Sequence, residues 1–528
     1  MNADEIISQW KREYAADRVD VAHLLCDRHS GVALDYLDDK GSQSQFSFDA
    51  LSDLSRRCAT ALIELGIGPG DPVATLLPKS PELMLTALGI WRIGAVHLPL
   101  FTAFGPDAIS YRLQRSNTKV VVTDAVQQSK LPGSGSARVV VDGGAGDLDF
   151  WTLINRTSPL QTNVARQAND AIVLLYTSGT TGHPKGALLP VKALPSIMSY
   201  MRFGLDVREE DVYWNIADPG WAYGLYYALI GPLLLGHRTL FYNAPFNAEM
   251  TLRILRERGI TNFAAAPTVY RALRAYTPAP GATDRVRLRA ASSAGEPLNP
   301  EVIRWAEEAL GVPILDHYGQ TELGMLVMNH HHPSVSRPLR PGSMGQAMPG
   351  FRLTIVDPDG AELDAGIDGT LAVDIAQSPL YWFQGYLNDP AATAQRISNG
   401  RYNVTGDIAS RDKDGFFYFS GRADDVITSA GYRIGPFEIE SALIQHPAVT
   451  EAAVIGKPDS LRGEVVCAFV VLKPDAEPSD QLATDLSNFV KKHLFAHAFP
   501  RDIRFVKSLP KTPSGKVQRY LLRGMVTS

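Results

Sequence analysis

A segment rich in glycine, serine and threonine follows an apolar run and carries one lysine. The run spans residues 171–176, and the segment YTSGTTGHPKG occupies 176–186. Glycines let backbone N–H groups approach a phosphate, hydroxyls add donors, and Lys185 adds a positive charge. The spacing is not that of Walker A, which disfavours kinases and ATPases of that class, and the alternative is an ordinary connecting loop. The candidate phosphate-binding residues are Thr177, Ser178, Gly179, Thr180, Thr181, Gly182 and Lys185.

Two acidic residues further along the chain could hold other parts of a nucleotide. Glu322 is the kind of carboxylate that holds Mg²⁺ on phosphate oxygens. Asp407 can accept hydrogen bonds from both hydroxyls of a ribose, and Arg422 can donate to the same sugar. Taken alone, Glu322 could equally be a solvated residue or a helix cap, and Asp407 with Arg422 a surface ion pair.

Seven segments in a fixed order together resemble the adenylate-forming (AMP-binding) enzyme superfamily, and the resemblance covers nearly the whole chain. The first is YTSGTTGHPKG, and the others are GEPLNPE at 295–301, DHYGQTELG at 316–324, YNVTGD at 402–407, GRADD at 421–425, AGYRIG at 430–435 and PKTPSGK at 510–516. The segment 424–436 is similar to acetyl-CoA and medium-chain acyl-CoA synthetases more than to luciferases or peptide-synthetase adenylation domains.

The resemblance implies a role for each matching residue. It gives the metal to Glu322, the α-phosphate to Thr321, and adenine stacking to Tyr318, which alone would more often be a core residue. The remaining nucleotide- and CoA-binding positions that it implies are Gly295, Glu296, Pro297, Asp316, Gln320, Asp407, Arg422, Gly431 and Arg433.

The resemblance also implies a two-step reaction. A carboxylate attacks the α-phosphorus of Mg·ATP while Lys516 and Lys185 stabilise the charge on the oxygens, and the products are an acyl-adenylate and pyrophosphate. The C-terminal part then turns about Asp424, and the loop with Gly431 lines a channel through which the thiol of CoA displaces AMP. Related synthetases are switched off by acylation of the lysine that Lys516 matches, so a protein acetyltransferase is a possible partner.

The acid-binding pocket is expected to be larger than that of an acetyl-CoA synthetase. Gly319 replaces the bulky tryptophan of those enzymes, and Ala294 replaces a valine. Trp221, Tyr223 and Gly224 are the other candidate pocket residues, although each aromatic ring could equally be plain core packing. We expect a short- or medium-chain or branched fatty acid larger than acetate, and an aryl or arylalkanoic acid as the second choice.

Other functions remain as alternatives. The product could be loaded onto a carrier protein instead of CoA, the fold could serve a non-catalytic nucleotide binder, or the protein could be a monooxygenase of the luciferase kind. Amino-acid activation would need a buried carboxylate for the ammonium group, and Asp218 is the one nearby candidate; similar acyl-CoA synthetases carry an aspartate there too.

The elements that must position these residues indicate an α/β fold. Short runs at 73–77, 120–123, 139–141, 171–176, 262–266 and 312–316, most of them continuously apolar, predict strands of largely parallel sheets. Amphipathic stretches at 81–94 and 106–115 predict crossover helices. A hairpin is expected around Asp414-Gly415, and an α+β region follows it. We therefore predict a large α/β domain at 1–422 and a small mobile α+β domain at 423–528.

Composition sets the remaining limits. The 528 residues carry 51 basic against 56 acidic side chains, a net charge of −5, so nucleic acid is not an expected partner. Three widely spaced cysteines give neither a disulfide framework nor a zinc site and favour a cytoplasmic protein. No segment predicts a membrane span or a signal peptide, and the oligomeric state stays open.

Overall fold

The computed structural model describes the chain apart from residues 1, 15, 134, 144–147, 178–183, 278–285, 297, 299, 430–431, 460–461, 495–498, 512–516 and 528, and it describes the backbone alone at 432, 433 and 527. Its α-helices are α1 Ala3–Tyr14, α2 Phe48–Glu64, α3 Pro81–Arg92, α4 Pro106–Ser116, α5 Phe150–Arg156, α6 Leu194–Ser199, α7 Ala222–Gly224, α8 Gly231–Leu235, α9 Ala248–Glu257, α10 Pro267–Tyr276, α11 Pro300–Ala309, α12 Pro390–Ala394, α13 Pro436–Ile444, α14 Asp480–His493 and α15 Arg519–Thr527.

The strands are β1 Val32–Asp38, β2 Gln43–Ser47, β3 Pro72–Leu76, β4 Val96–Pro99, β5 Val120–Asp124, β6 Ala137–Val141, β7 Leu148–Asp149, β8 Ala171–Thr177, β9 Lys185–Pro190, β10 Tyr213–Asn215, β11 Thr239–Asn243, β12 Asn262–Ala265, β13 Ala290–Ala294, β14 Ile314–Gln320, β15 Gly324–Met328, β16 Ser343–Ala347, β17 Leu353–Val356, β18 Gly369–Asp374, β19 Ile397–Ser398, β20 Tyr402–Arg411, β21 Phe417–Arg422, β22 Ile427–Ser429, β23 Tyr432–Ile434, β24 Val449–Asp459, β25 Gly463–Leu472 and β26 Asp502–Phe505.

Most of the strands belong to two large sheets. One runs β7-β6-β5-β3-β4-β8-β9 and is parallel up to β8, where the antiparallel β9 closes it. The other begins as the parallel set β10-β12-β13-β14 and continues as antiparallel strands through β15, β16, β21, β20, β18 and β17. The predicted α/β class is therefore confirmed, and the antiparallel half of the second sheet is an addition to it.

Local sequence explains where the helices of the first sheet begin. The Ser80 side chain accepts a hydrogen bond from the backbone N–H of Leu83, and Pro81 occupies the first turn of α3. Every residue of α3 from Leu83 to Arg92 is buried, and its Trp91 donates an indole hydrogen bond to the Ile172 carbonyl at 2.9 Å. This packing fixes α3 against β8, the strand that leads into the glycine-rich segment.

The C-terminal region has a sheet of its own. After β21 ends at Arg422, the strands β23-β22-β25-β24 pair with one another, and β26 adds to β25. Helices α13 and α14 cover a separate apolar cluster that includes Ile439 and Val490. This smaller α+β unit follows the large one, as predicted.

Within the described residues there are three π-helical turns, at His23–Asp27, Tyr200–Gly204 and Leu225–Ile230. Such turns are frequent at functional sites because they reorient side chains within a helix. Two of them carry the tyrosines Tyr200, Tyr226 and Tyr227, which lie beside the end of β14.

Candidate active site

A buried carboxylate lies at the centre of the site. Asp407 on β20 faces Arg422 on β21 in register, and its side chain is 4% exposed. It accepts hydrogen bonds from the Tyr318 hydroxyl, from Gln320 Nε2 at 2.7 Å and from an Arg422 guanidinium nitrogen at 3.1 Å. Three donors thus hold this carboxylate in place. Hydrogen bonds to a carboxylate are stronger than those between neutral groups.

Gln320 connects this carboxylate to residues that the sequence did not single out. Its Nε2 also donates to the Thr405 carbonyl at 2.9 Å, while its Oε1 accepts from Arg396 at 2.9 Å. Both ends of the amide are occupied, so the orientation of Gln320 is determined. The Nε atoms of Arg396 and Arg422 are buried without a partner among the described residues.

A second carboxylate stands at the turn after β14. Glu322 is 8% exposed, and its Oε1 accepts a hydrogen bond from the Tyr386 hydroxyl at 2.7 Å. The ammonium of Lys185 lies 5.4 Å from the centre of the Tyr386 ring, within cation–π range. Tyr386 therefore links Lys185 to Glu322, although no sequence motif indicated this tyrosine.

The surroundings of Glu322 suit a magnesium ion that also uses ligand oxygens. Among the described residues no three histidine, cysteine or acidic side chains are grouped closely enough to hold a metal by themselves. Mg²⁺ usually takes one or two carboxylates together with waters and substrate phosphates. Glu322, a buried carboxylate whose Oε1 is fixed by the Tyr386 hydroxyl, is compatible with that arrangement.

Thr321 precedes Glu322, and Gly295 and Glu296 follow β13, the strand that pairs with β14. The Tyr226 hydroxyl donates to the Thr321 carbonyl at 3.1 Å and so fixes the backbone beside Glu322. Gly295 has a left-handed φ of +99°, which favours glycine. Glu296 accepts hydrogen bonds from Arg271 at 2.7 Å and Thr268 at 3.0 Å, so its side chain is tied to α10.

Burial raises the pKa of the Asp316 carboxyl group to about 8. It receives backbone hydrogen bonds from His317 and Leu298, which oppose the shift without cancelling it. The carboxyl group is therefore neutral at pH 7, four residues before the amide of Gln320 in the same strand.

This shift predicts how stability depends on pH. A carboxyl whose folded-state pKa is raised favours the folded chain below its ordinary value of 3.8, and that advantage is lost as the pH rises towards about 8. We expect the free energy of unfolding of the unmodified chain, minus that of Asp316→Asn, to fall over this window by up to about 1.4 kcal/mol per pH unit. Denaturant titrations at several pH values would measure it, and a difference that stays level from pH 4 to 8 would contradict the shift.

Three of the candidate pocket residues lie in or next to the short helix α7, namely Trp221, Tyr223 and Gly224. The Trp221 ring packs against Phe101 and Phe104, with ring centroids 5.5 and 5.3 Å away, and its indole nitrogen has no partner among the described residues. Ala294 at the end of β13 is 3% exposed. Tyr223 lies within α7 and contacts Tyr200 and Tyr227.

Gly319 is packed more closely than its missing side chain suggests. A Cβ at this position would stand 2.4 Å from the Gly324 carbonyl oxygen and 2.7 Å from Met325 Sδ. The direction in which a side chain would project is therefore filled by β15. Met325, which the sequence did not indicate, limits the space beside Gly319.

Gly224 lets α7 approach the preceding turn. A Cβ there would lie 2.1 Å from the Asp218 carbonyl oxygen and 2.7 Å from the Pro219 nitrogen, both backbone atoms that cannot rotate away. We expect Gly224→Ala to lower the free energy of unfolding by roughly 1–3 kcal/mol because the helix must shift. Thermal and denaturant unfolding would measure this effect.

Gly133 offers the matched control for that substitution. It lies outside helices and strands, its φ is not in the left-handed region, and nothing lies within 4 Å of a Cβ built there. Gly133→Ala should therefore lower stability by no more than about 0.5 kcal/mol. Equal losses in the two variants would show that the close approach at Gly224 is not what matters.

Several predicted site residues lie outside the described residues. These are Ser178, Gly179, Thr180, Thr181, Gly182, Pro297, Gly431 and Lys516, together with the side chain of Arg433. The flanking Thr177 and Lys185 pair across the antiparallel strands β8 and β9, so the glycine-rich segment joins the two strands. Asp424 is exposed after β21, and its carbonyl accepts a hydrogen bond from Arg523 at 2.8 Å.

The structure thus brings Tyr318, Gln320, Asp407 and Arg422 into one hydrogen-bonded group and places Glu322 near Lys185 through Tyr386. The arrangement supplies a buried carboxylate with donors, a second carboxylate fixed by a tyrosine hydroxyl, and a lysine. No helix in the described part of the chain is long and apolar enough to cross a membrane.

Comparisons with known proteins agree with this geometry. Residues 27–387 match the family described as AMP-binding enzyme, and residues 438–516 match the AMP-binding enzyme C-terminal domain. The acetyl-coenzyme A synthetase of Bacillus subtilis is 37% identical over 96% of this chain and 90% of its own length.

Two solved structures are similar over nearly the whole chain. An acyl-CoA synthetase from Brucella canis is 46% identical with a TM-score of 0.77, covering 100% of this chain and 99% of the other. A benzoate CoA ligase from Burkholderia xenovorans is 29% identical with a TM-score of 0.84, covering 95% and 99%. The resemblance inferred from the sequence motifs is confirmed.

Proposed function

Since the chain belongs to the AMP-binding enzyme family, we propose that it is an ATP-dependent acyl-CoA ligase that forms an acyl-adenylate and then an acyl-CoA, releasing pyrophosphate and AMP. The observation that carries the proposal is the buried Asp407 with its three donors, next to Glu322, Tyr386 and Lys185. This combination can hold a sugar, phosphates and a cation side by side.

In the first step an oxygen of the substrate carboxylate bonds to the α-phosphorus, and the bond to pyrophosphate breaks. Asp407 and Arg422 hold the ribose hydroxyls, and Tyr318 provides a ring for adenine. Lys185 and Lys516 offset negative charge on the reacting oxygens, and Thr321 donates to the α-phosphate. A magnesium ion on Glu322, when bound, would neutralise charge on the phosphates.

In the second step the thiol of CoA attacks the acyl carbon, and AMP leaves with its electron pair. We assign this step to a rotation of residues 423–528 against 1–422 about Asp424, which removes Lys516 and brings in Gly431 and Arg433. The change of sheet between β21 and β22 supports a boundary there. Acetylation of Lys516 by a protein acetyltransferase would remove its charge and stop the first step.

The acid that we propose is a short- or medium-chain or branched fatty acid larger than acetate. Ala294 in place of a bulkier residue supports this, while Met325 limits the gain at Gly319. Asp218 offers little to an ammonium group. Burial raises its pKa, and one of its oxygens already accepts the Gly220 N–H at 2.7 Å.

An aryl or arylalkanoic acid is the second candidate. The similarity to a benzoate CoA ligase favours it, as do the aromatic rings of Trp221, Phe101 and Phe104. Loading of a carrier protein is distinguished by its acceptor, because a carrier-specific enzyme would not turn over with free CoA.

The test is product formation from ATP and Mg²⁺ over a panel of straight, branched and aryl acids, with and without CoA. We expect AMP, pyrophosphate and acyl-CoA in equal amounts, steady turnover only with CoA, and a preference for acids longer than acetate. Turnover of acetate above all longer acids would overturn the substrate class. No acyl-CoA with any acid would overturn the ligase.

A further inference from the structure

Three side chains form a chain of hydrogen bonds between a buried histidine and a candidate pocket residue. His317 lies on β14, Tyr200 opens the π-helical turn Tyr200–Gly204, and Tyr223 lies on α7. The Tyr200 hydroxyl is 2.7 Å from His317 Nδ1 and 3.0 Å from the Tyr223 hydroxyl. We call these residues the tyrosine–histidine chain.

The inner end of the chain determines where the protons lie. His317 Nε2 is 3.0 Å from the Asn329 carbonyl oxygen, which can only accept, so Nε2 carries a hydrogen. Burial lowers the pKa of His317 well below its ordinary value, so the ring is neutral and has one N–H. Nδ1 is therefore a lone-pair acceptor, and it is the Tyr200 hydroxyl that donates to it.

The same reasoning determines the donor of the next hydrogen bond, between Tyr200 and Tyr223. A hydroxyl has one hydrogen, and that of Tyr200 is used on His317, so Tyr200 accepts from Tyr223. The hydrogen of Tyr223 is used in turn. What the Tyr223 hydroxyl can offer to anything else is a lone pair.

The exposure of the three side chains shows which end can meet a ligand. Tyr200 is fully buried and His317 is 2% exposed, whereas Tyr223 is only partly buried. Tyr223 also lies between Trp221 and Gly224, the residues around which the acid pocket is proposed. Tyr223 is thus the member of the chain that is nearest to solvent and to the proposed acid pocket.

We propose that the acid carries a hydroxyl group on its acyl chain, and that Tyr223 selects it by accepting its hydrogen bond while Tyr200 and His317 fix Tyr223 as an acceptor. This inference rests on the proposed acyl-CoA ligase function. An acid with an oxo group at the same carbon would place its own lone pairs against those of Tyr223. An unsubstituted acid would leave Tyr223 without a partner.

The test compares hydroxy and oxo acids of matched length, substituted at successive carbons, by kcat/KM for acyl-CoA formation. We expect the unmodified chain to favour the hydroxy acid at one position by on the order of tenfold, the value of one well-placed hydrogen bond. Tyr200→Phe frees the hydrogen of Tyr223, so the oxo acid should improve and the ratio should fall towards one. Tyr223 itself is unchanged in that variant.

Tyr213→Phe is the matched control. The Tyr213 hydroxyl is also buried and donates to the Tyr227 carbonyl at 2.7 Å, outside the tyrosine–histidine chain. It should reduce stability as Tyr200→Phe does and leave the hydroxy-to-oxo ratio unchanged. A merely structural role of Tyr200 would lower both rates together.

A second variant keeps the test decisive if Tyr200→Phe does not fold. Tyr223→Phe removes the acceptor, so kcat/KM for the hydroxy acid should fall to that for the unsubstituted acid of the same length. Acyl-CoA formation with a hydroxy-to-oxo ratio near one at every position, or a ratio that both variants leave intact, would overturn the proposal and keep the ligase. Absence of acyl-CoA with every acid would overturn both.

Discussion

Glu322→Gln is expected to lower kcat/KM for acyl-CoA formation by roughly a hundredfold to a thousandfold, the cost of losing one charged group that acts on reacting oxygens. The amide keeps the shape of the side chain and an oxygen that can accept from Tyr386. It loses the charge that would hold a cation on the phosphates. Initial rates over a range of ATP and Mg²⁺ concentrations would measure the effect.

Glu301→Gln is the matched control for this substitution. Glu301 pairs with Arg274 at 3.0 Å and is 18% exposed, on α11 and outside the group around Asp407. Its activity should stay within about twofold of the unmodified chain. Tyr386→Phe should lose about tenfold to a hundredfold, because partners that orient a metal-binding carboxylate typically matter by that much. A fully active Glu322→Gln would remove Glu322 from the proposed reaction.

Asp407→Asn is expected to raise the KM for ATP by about a hundredfold. An amide has one acceptor oxygen, and its NH₂ group would face the donors of Tyr318, Gln320 and Arg422. The proposed hydrogen bonds from the ribose hydroxyls to the Asp407 carboxylate are worth about 1.5–3 kcal/mol each, so weakening them accounts for such a factor. Nucleotide titration by calorimetry and steady-state kinetics would both report it.

Asp374→Asn separates this effect from simple loss of stability. Asp374 on β18 is also fully buried and accepts from Arg352 at 2.9 Å and Arg401 at 2.7 Å. Its replacement should destabilise the fold to a similar degree with the KM for ATP unchanged. If the two variants bound ATP equally well, the assignment of Asp407 to the ribose would be wrong.

Much of the fold could be predicted because its signals are local. The apolar runs 73–77, 120–123 and 171–176 became β3, β5 and β8, and proline at the first turn marked α3 and α4. The Asp414-Gly415 turn predicts the hairpin of β20 and β21 and sets the pairing of the residues nearest to it. A register shift between Ile408 and Ala409 then moves the pairing by one residue and places Asp407 opposite Arg422, which the turn alone does not predict.

The rest of the site depends on contacts between distant segments. Tyr386 reaches Glu322 across 64 residues, and Arg396 reaches Gln320 across 76. Neither partner is distinguished by its neighbours in the chain. The strand predicted at 312–316 lies at Ile314–Gln320, because the backbone of residues 317–320 pairs with β15. The types of these four residues did not indicate that pairing.

The central claim is that the acid is activated as an adenylate, and the most direct measurement follows the oxygen of the carboxylate. The acid would be labelled with heavy oxygen in its carboxylate and converted to acyl-CoA with ATP and CoA. If the carboxylate attacks the α-phosphorus, one labelled oxygen must appear in AMP and none in pyrophosphate. Label in inorganic phosphate together with ADP, or unlabelled AMP, would contradict the account.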